Sequence, residues 1–406
     1  MDEQFSVSGQ GERASARQEP GISLPLPTVI GWRPRVLFAF EADKHVLSFS
    51  DIRGRLFKIP KAKEIDAYVC ELLREPRTVA ELLEQVLLRY PSRPEKRVYN
   101  LLNLLIARDL IEQKNIVPPP EITGEDLKLY DRQLRFLGLF AHRLEDRFCM
   151  QSALKQATVT LLGLGGVGTW VARNLAAIGV GHLRLVDYDL VELSNLNRQM
   201  LYTPADLGQP KIEVARRVLK TAHPHLDVQA IPLKITSPED IERVIEGASM
   251  AVLTADKPMR EIRRWMAIAC MRQQLAYVQG SLDAYFLQIG PLYHVPHTGC
   301  YGCREALRRQ NQSYAASIET DVPLSREKPP LLGPLCGFVG SAVALEAARY
   351  LSKYQSPSTL GRYYIIDART WTTQTETFSR NEECLICGSS SKPFIDKTVQ
   401  DERKHF

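Results

Sequence analysis

Residues 158–199 read TVTLLGLGGVGTWVARNLAAIGVGHLRLVDYDLVELSNLNRQ, and this stretch decides the fold of the chain. The short apolar run at 158–162 predicts a buried strand. Four glycines follow it at once, and residues 169–178 then carry a helical pattern. A strand, a glycine turn and a helix in this order are typical of nucleotide-binding α/β domains. The sequence therefore predicts a doubly wound, Rossmann-like sheet.

The glycines of this turn, Gly163, Gly165, Gly166 and Gly168, are candidate nucleotide contacts. Without a Cβ, a glycine lets the chain turn tightly and lets backbone N–H groups approach phosphate oxygens. The N-terminus of the following helix adds a partial positive charge that favours an anion. A second apolar strand ends at Asp187, 19 residues after Gly168, where a carboxylate that binds a ribose hydroxyl belongs.

Polar side chains crowd the segment that follows this carboxylate. They are Ser194, Asn195, Asn197, Arg198 and Gln199. An NAD-dependent enzyme has no obvious need for a polar, cationic cluster at this place. The β- and γ-phosphates of a nucleoside triphosphate carry charge that a planar guanidinium binds at two points. The cluster therefore favours a nucleoside triphosphate over a dinucleotide.

A further carboxylate follows the buried strand predicted at residues 250–254. Asp256 comes directly after that strand, and in α/β sheets the carboxyl ends of the strands border the ligand site. Asp256 can there hold Mg²⁺ against the phosphates. Capping of the helix predicted at 260–273 explains this residue equally well from the sequence alone.

Two C-x-x-C pairs give the clearest metal signal, Cys300 with Cys303 and Cys384 with Cys387. Each pair offers two thiolates, and the four together complete a tetrahedral site for Zn²⁺. Because sulfur then fills every position and leaves none for a substrate, the ion is predicted to be structural. A redox role is the alternative, and the presence of two pairs argues against it.

Composition bounds the class of protein. The chain has 406 residues, of which 44% are hydrophobic and 24% charged, as expected for a globular protein of two or three domains. A net charge of +5 is too small for this length to indicate a nucleic-acid partner. No apolar run reaches bilayer length, and the polar N-terminus does not have the pattern of a signal peptide. With cysteines paired as metal ligands, the expected compartment is the cytoplasm.

The N-terminal part predicts a flexible segment at residues 1–32 and a small domain at 33–115. Strand-like runs at 36–40, 45–50 and 55–59 precede three helical patterns, the second capped by Thr78. This order is similar to winged helices, and specifically to the PqqD-like leader-peptide-binding domains of peptide-modifying enzymes. The resemblance implies that a peptide adds as a strand between residues 55–59 and 96–108.

Two alternatives to peptide binding remain for this domain. It can be a nucleic-acid-binding winged helix, or it can be a structural or dimerisation module. The first alternative depends on a basic cluster, namely Arg53, Arg55, Lys58, Lys61 and Lys63.

Residues 126–390 resemble the ubiquitin-activating-like adenylating superfamily, typified by ThiF and MoeB, within a domain placed at 126–406. The matching pieces are YDRQL at 130–134, GLGGVG at 163–168, VDYDLVELSNLNRQ at 186–199, Lys211, TAD at 254–256 and both cysteine pairs. The resemblance implies a homodimer that uses ATP and Mg²⁺. Independently of the resemblance, the apolar pattern of residues 125–147 predicts a single helix there.

The roles that this resemblance implies are specific to each residue. Asp187, Asp189 and residues 194–198 are expected to bind the nucleotide, together with the glycine turn. Arg198 and Lys211 are expected to hold the phosphates, and Asp256 is expected to hold Mg²⁺. Arg132 is expected to reach the triphosphate from the partner subunit. Lys257 stands where the family usually has asparagine, which weakens the expectation for the neighbouring nucleotide contact.

The chemistry that the resemblance implies is attack of a carboxylate on the α-phosphate, which gives an acyl adenylate and pyrophosphate. Joined to a leader-binding-like domain, this chemistry resembles that of the enzymes of microcin C and pantocin A maturation. The expected substrate is then a carboxyl or amide group of a ribosomally made precursor peptide, activated for cyclisation or dehydration. Residues 311–335 contain no cysteine for a thioester, which favours a nucleophile within the peptide.

Two other functions stay open. One is adenylation of a sulfur-carrier protein, as in ThiF and MoeB. The other is a non-catalytic docking platform, against which the intact Arg198, Lys211 and Asp256 argue. Cys336 opens a predicted helix at 335–351, where the helix N-terminus lowers the pKa of a thiol. A buried, inert role is favoured for this cysteine.

Overall fold

The computed structural model describes residues 24–33, 35–51, 54–92, 94–108, 110–141, 146–295, 297–310 and 330–388. The chain divides into two compact units between Val117 and Pro118. Pro118 is the first of three consecutive prolines. Each unit has its own hydrophobic core.

The first unit combines two three-stranded antiparallel sheets with three helices. Its strands are β1 (Val29–Trp32), β2 (Leu37–Glu41), β3 (Val46–Ser50), β4 (Leu56–Pro60), β5 (Arg77–Thr78) and β6 (Ile111–Gln113). Its helices are α1 (Glu64–Leu72), α2 (Val79–Arg89) and α3 (Glu95–Ala107). The strand orders are β5-β1-β6 and β2-β3-β4. The three strands and three helices predicted between residues 36 and 108 are therefore present.

Local capping explains where α2 begins. The Thr78 side chain accepts a hydrogen bond from the backbone N–H of Glu81, and the Glu81 carboxylate accepts one from the backbone N–H of Thr78. This reciprocal pair satisfies two donors that the first turn of a helix leaves free. The predicted Thr78 cap is confirmed.

Strand β1 corrects the predicted start of this unit. Residues 1–32 are predicted from their sequence to be flexible. In the structure, however, Val29–Trp32 pair with both β5 and β6. Ile30 is 1% exposed and belongs to the core of the unit. A four-residue strand whose partners lie about 50 and 80 residues away leaves little local signal, because strand pairing is a long-range interaction. Residues 1–23 of the predicted segment lie outside the described residues.

The second unit is organised around one eight-stranded mixed sheet with the order β14-β13-β12-β11-β10-β7-β8-β9. Its strands are β7 (Thr158–Leu162), β8 (His182–Asp187), β9 (Asp227–Pro232), β10 (Met250–Leu253), β11 (Tyr277–Asp283), β12 (Phe286–Tyr293), β13 (Arg362–Asp367) and β14 (Thr372–Thr377). Strands β9, β8, β7, β10 and β11 run parallel, and β11 to β14 are antiparallel. The predicted doubly wound sheet is therefore present.

Helices cover both faces of this sheet. They are α4 (Gly124–Leu129), α5 (Asp131–Gly138), α6 (Asp146–Gln156), α7 (Gly166–Ala177), α8 (Lys211–Ala222), α9 (Pro238–Ile245), α10 (Glu261–Arg272), α11 (Tyr301–Gln310) and α12 (Gly333–Ser352). Helix α12 packs closely on α7. A Cβ added to Gly340 would lie only 2.5 Å from the Cβ of Trp170 on α7, so there is no room for a side chain there. Glycine at this position of α12 therefore allows the two helices to approach closely.

The single helix predicted over residues 125–147 is wrong. The chain leaves α4 at Tyr130, whose backbone (φ −100°, ψ 16°) departs from helical values, and α5 begins at the next residue. Tyr130 lies against Gly179, where a Cβ would be 2.7 Å from its phenol oxygen. Tertiary packing of the ring therefore interrupts an apolar pattern that is continuous in the sequence. Residues 142–145 lie outside the described residues.

The strand order creates a topological switch point between the neighbouring strands β7 and β10. From β7 the chain goes to β8 and β9 on one side, and it returns as β10 on the other side. Ligands of doubly wound folds bind in the crevice that such a reversal opens at the carboxyl ends of the strands. The glycine turn follows β7, and Asp256 follows β10. Among the described helices, none has the length and apolar character needed to cross a membrane.

Candidate nucleotide site

Two glycines of the turn after β7 are required by close backbone packing. Gly163 has φ of 96°, and a Cβ there would lie 2.6 Å from the backbone nitrogen of Ala255. A Cβ on Gly168 would lie 2.0 Å from the carbonyl oxygen of Gly163. The turn therefore packs against both the exit of β10 and the first turn of α7, an approach that no larger residue allows.

Of the other two glycines, Gly165 borders open space and Gly166 borders side chains. A Cβ on Gly165 would meet no atom within 4 Å. A Cβ on Gly166 would lie 2.8 Å from the Cys336 Sγ and 3.6 Å from the Arg198 Cδ. Helix α7 begins at Gly166, so its free N–H groups and positive dipole end border the open space beside Gly165. This space suits a phosphate group.

Asp187 is built into the same turn. One carboxylate oxygen accepts the backbone N–H of Leu164 at 2.6 Å, and the other accepts that of Asp189 at 2.8 Å. The side chain is 8% exposed and ends β8. Each carboxylate oxygen has a second lone-pair direction, so Asp187 can still accept from a ribose hydroxyl.

Lys211 and Asp189 form an ion pair at this edge of the sheet. The Lys211 Nζ lies 2.9 Å from the Asp189 Oδ2, and the lysine is 5% exposed while the Asp189 side chain is 52% exposed. Lys211 opens α8, and its backbone N–H donates to the Asp189 carbonyl oxygen at 3.0 Å. The pair is a feature that the sequence does not reveal, because 22 residues separate its members.

Arg198 lies over the glycine turn. Its Nη1 donates to the backbone carbonyl oxygen of Ser194 and to the Asn197 Oδ1 at 3.1 Å. Both neighbours are exposed, and the Arg198 Nε finds no acceptor among the described residues. The guanidinium therefore has hydrogen-bonding capacity left for an anionic ligand.

Asn195 and Gln199 are buried, in contrast to Ser194 and Asn197. The Asn195 Oδ1 accepts the backbone N–H of Glu192 at 3.0 Å and so caps the 3₁₀ turn at Leu193–Asn195. Gln199 is 3% exposed. These two positions shape the loop that presents Arg198.

Asp256 lies exposed beyond the carboxyl end of β10. The N-cap of α10 is Arg260, so the alternative that Asp256 caps this helix is wrong. Burial raises the pKa of the Tyr188 phenol, and the charges of Asp189, Asp187 and Asp256 raise it further. Three carboxylates therefore act electrostatically on one side chain near the rim, and of these Asp187 and Asp189 are engaged by backbone N–H groups and by Lys211.

Arg132 is not brought to this rim within its own chain. It is exposed on α5, whose neighbouring Gln133 donates to the carbonyl oxygen of Ile178 at 2.8 Å. Ile178 follows the last residue of α7, whereas the glycine turn lies at its first. A twelve-residue helix is about 18 Å long, which separates Arg132 from the phosphate-binding end.

Cys336 is a buried thiol beside the turn. It is fully buried, and burial raises its pKa even though Arg198 opposes that shift. The thiol is therefore protonated near neutral pH and is not an activated nucleophile.

The four paired cysteines converge in the second unit. Cys300, Cys303, Cys384 and Cys387 are all buried, and their sulfurs lie within 4.8 Å of one another. Individual Sγ–Sγ distances are 3.9 Å for 300 to 303, 3.5 Å for 300 to 384 and 3.3 Å for 303 to 387. A tetrahedral Zn²⁺ with thiolates at about 2.3 Å requires sulfurs about 3.8 Å apart. The cluster can hold zinc, with no position open to a substrate.

This cluster lies away from the nucleotide rim. Burial raises the pKa of Tyr277 well above its usual value, and Tyr293, Cys270 and Cys300 contribute to the shift. Tyr277 is the first residue of β11, so the cysteines lie toward the amino edge of the parallel strands, opposite Asp256. The position supports a structural role that ties the segment after β14 to the unit.

Comparisons with known proteins agree with this geometry. The chain matches the ThiF family over residues 130–386. Molybdopterin-synthase adenylyltransferase of Salmonella typhimurium is 30% identical over 268 residues, which cover 66% of this chain and 99% of the relative. A crystal structure of E. coli MccB with AMPCPP and selenomethionine MccA is 24% identical with a TM-score of 0.67, covering 89% of this chain and 100% of that chain. PaaA is 21% identical with a TM-score of 0.67, covering 85% and 99%.

The space beside Gly165 generates the first prediction. Substitution Gly165→Ala places a methyl group where no protein atom lies, so the melting temperature is expected to change by less than about 2 °C. Because the methyl group occupies the space assigned to phosphate, the dissociation constant for ATP is expected to rise by about tenfold or more. Calorimetric titration with ATP measures it. Gly124→Ala, also in open space but in α4, is the control. Unchanged ATP affinity in Gly165→Ala would place the phosphates elsewhere.

The cysteine cluster generates the second prediction. The purified protein is expected to contain about one zinc ion per chain. Cys384→Ser removes one of four ligands, so bound zinc and the melting temperature are both expected to fall. Elemental analysis and thermal unfolding measure these quantities, with the exposed Cys149→Ser as the control. Equal zinc content in both variants would contradict the assignment.

Proposed function

This chain belongs to the ThiF family and is an ATP-dependent adenylyltransferase, and we propose that it activates a carboxyl or amide group of a ribosomally made precursor peptide. The observation that carries this proposal is the first unit, which has a sheet edge free to take up a peptide. MccB, crystallised with AMPCPP and MccA, shares the fold over both units.

The nucleotide is proposed to bind along the rim of the parallel strands. Gly163, Gly165, Gly166 and Gly168 shape the phosphate turn, and Asp187 accepts a ribose hydroxyl. Ser194, Asn195, Asn197, Arg198 and Gln199 form or support the loop over that turn. Arg198 is the member with donors left to bind phosphate. This division assigns direct contact to the exposed members of the loop and a supporting role to the buried ones.

Lys211 is proposed to hold the phosphates through its pairing with Asp189. A buried ammonium is stable when a carboxylate partner offsets its charge, and Asp189 supplies that partner before the nucleotide arrives. A phosphate offers a second anionic partner to the same group. Asp189 is thus proposed to orient Lys211 rather than to touch the nucleotide base.

In the chemical step, a carboxylate oxygen of the substrate attacks the α-phosphorus of ATP. The bond from the α-phosphorus to the bridging oxygen of the β-phosphate breaks, and pyrophosphate leaves with the electron pair. Arg198 and Lys211 stabilise charge that builds on the phosphates in the transition state. Asp256 is proposed to hold Mg²⁺, which supplies further positive charge at the same oxygens.

The activated acyl group is proposed to pass to a nucleophile within the peptide. Cys336, the cysteine beside the phosphate turn, is buried and has a raised thiol pKa, so it is a poor acceptor. Four other cysteines are committed to the metal cluster. Ring closure or dehydration within the peptide then expels AMP as the leaving group, without an enzyme-bound thioester.

The first unit is proposed to bind the leader segment of that peptide as an added strand. Strand β4 ends the order β2-β3-β4, and no described strand pairs with its other edge. An edge strand presents unpaired N–H and C=O groups that can bind an extended peptide. A nucleic-acid-binding winged helix and a dimerisation or structural module are the two alternatives for this unit.

The protein is proposed to act as a homodimer. Phe338 and Leu345 are 41% and 44% exposed and lie seven residues apart on α12, which places them on one face. Trp371, 61% exposed, has its ring centroid 5.8 Å from that of Phe338. Exposed large apolar side chains on one helix face and beside it are typical of a subunit contact. A partner subunit can then supply Arg132 to the nucleotide rim.

Adenylation of a sulfur-carrier protein is an alternative function that the named relatives favour. The 30% identical relative is named molybdopterin-synthase adenylyltransferase, and another relative, from E. coli, is named ThiS adenylyltransferase. A sulfur-carrier protein is therefore the second candidate substrate. Both candidates use the same adenylation chemistry and differ in the molecule that enters the site.

Substrate-dependent pyrophosphate release provides the third prediction. We expect a candidate precursor peptide to stimulate release, and a carrier protein ending in Gly-Gly to give no stimulation. Asp256→Asn is expected to lower release by about 100-fold or more, because it removes the charge that holds Mg²⁺. Asp227→Asn, at the amino edge of the sheet, is expected to leave the rate unchanged. Stimulation by the carrier protein alone would establish the alternative function.

Complementation between subunits provides the fourth prediction. Arg132→Ala and Asp256→Ala chains are each expected to be inactive alone. A mixed dimer contains one site with both residues intact if Arg132 acts across the interface, so co-expression is expected to restore about one quarter of the wild-type rate. Recovery is expected to be zero if Arg132 acts within its own chain. The measurement is pyrophosphate release by the co-purified chains.

A further inference from the structure

Strand β4 and helix α3 lie side by side in the first unit and define a groove. Arg97, in the first turn of α3, donates its Nη2 to the carbonyl oxygen of Lys61, just after β4, at 3.3 Å. Arg108, the C-cap of α3, has its guanidinium 5.5 Å from the ring of Phe57 near the start of β4. Helix and strand therefore run antiparallel, and their contacts extend from one end of β4 to the other. We call this the β4–α3 groove.

The two faces of β4 differ in chemistry. Phe57 and Ile59 are half-buried and pack toward the helices, on the face where the paired Phe49 and Leu47 are fully buried. Half-buried Leu104 is their counterpart on α3. The opposite face carries Leu56, Lys58 and Pro60, all exposed. An added strand therefore meets apolar side chains on one face and Lys58 at the centre of the other.

The charges around this groove are unbalanced. Lys58, Lys61, Lys96 and Arg108 are exposed, and none forms an ion pair among the described residues. The nearby Asp51 and Asp66 are already paired, with Arg55 and Arg97 respectively. Glu41 also interacts electrostatically with Lys58 but is ion-paired with Lys44. Glu64 and Glu95 lie in the first turns of α1 and α3, where helix dipoles already favour negative charge. A partner must therefore bring negative charge of its own.

From this arrangement we propose that the β4–α3 groove selects an extended peptide in which acidic and apolar residues alternate. This inference rests on the proposed function for the role of the groove and adds the chemistry of its occupant. Apolar side chains of the added strand pack on Ile59 and Leu104. The intervening acidic side chains lie opposite Lys58, while Lys61 and Arg108 attract charge at the two ends. Alternation follows because successive strand residues point to opposite faces.

A nucleic acid is the other polyanion that a basic surface attracts. Single-stranded nucleic acid is held by aromatic faces on which bases stack. The Phe57 ring is half-buried, and the Arg55 and Arg108 guanidiniums lie 5.4 Å and 5.5 Å from its centroid. With the aromatic face covered and a sheet edge open, the groove favours a peptide strand.

The experiment compares three fluorescein-labelled probes with the full-length protein by fluorescence anisotropy. One probe is an eight-residue peptide of alternating glutamate and valine, and the second has lysine in place of each glutamate. The third is a single-stranded oligonucleotide with the same number of negative charges as the first. We expect the glutamate peptide to bind about tenfold or more tighter than the lysine peptide at low salt, with the difference shrinking as salt is added.

Substitutions locate the binding. Lys58→Glu is expected to reverse the preference between the two peptides, because it changes the charge that faces the central residues of the added strand. Arg74→Glu, on an exposed side chain after α1, is the matched control and is expected to change nothing. Circular dichroism of both variants checks that the unit remains folded.

Three outcomes would overturn the inference. They are equal binding of the two peptides, binding of neither, and tighter binding of the oligonucleotide. An unchanged preference in Lys58→Glu would also overturn it, because the charge contact would then lie elsewhere. Adenylation is measured separately as pyrophosphate release. Normal release without a peptide preference rejects the groove chemistry alone, whereas a preference without substrate-stimulated release rejects the proposed function.

Discussion

The nucleotide site depends on the contact between the backbone of the turn after β7 and the backbone that leaves β10. The Gly163 carbonyl oxygen occupies the place of a side chain on Gly168, and the Thr254 hydroxyl donates to that same oxygen at 2.8 Å. This contact joins the first turn of α7 to the exits of two strands. Because backbone atoms meet directly, the glycine turn and the exit of β10 lie against each other before any ligand binds, and electrostatic catalysis needs such preorganisation.

Some charged groups at this rim already have hydrogen-bond or ion-pair partners, whereas others remain available to a ligand. Asp187 uses both oxygens to hold the turn, and Asp189 holds Lys211. Arg198 and Asp256 keep capacity toward the open space, one as a cation and one as an anion. Arg198 and Asp256 are thus the groups that we propose for contact with a triphosphate and its metal, whereas Asp187 and Lys211 are buried. A site with charged groups available to phosphates is consistent with the adenylation carried out by this family.

The cysteine cluster and the first unit are proposed to have roles of their own, separate from nucleotide binding. The cluster lies at the edge of the sheet opposite the nucleotide rim, and it ties the segment after β14 to the start of α11. The first unit has a separate core and an open strand edge of mixed apolar and basic character. Stability, peptide recognition and adenylation are thus assigned to separate parts of the chain. This separation permits a common adenylating fold to act on a substrate that another domain selects.

Local sequence determined those features whose cause is local. The apolar run at 158–162, the glycines after it, the Thr78 cap and the two C-x-x-C pairs each carry their physical reason within a few residues, and each is found where the sequence predicts it. Tertiary structure decided what depends on distant partners. The pairing of β1, the break at Tyr130 and the Lys211–Asp189 pair all require residues far apart in the chain. Tertiary packing also decided why glycine is present at each of the four positions of the turn. The sequence motif does not show whether backbone, a side chain or open space lies beside each Cα.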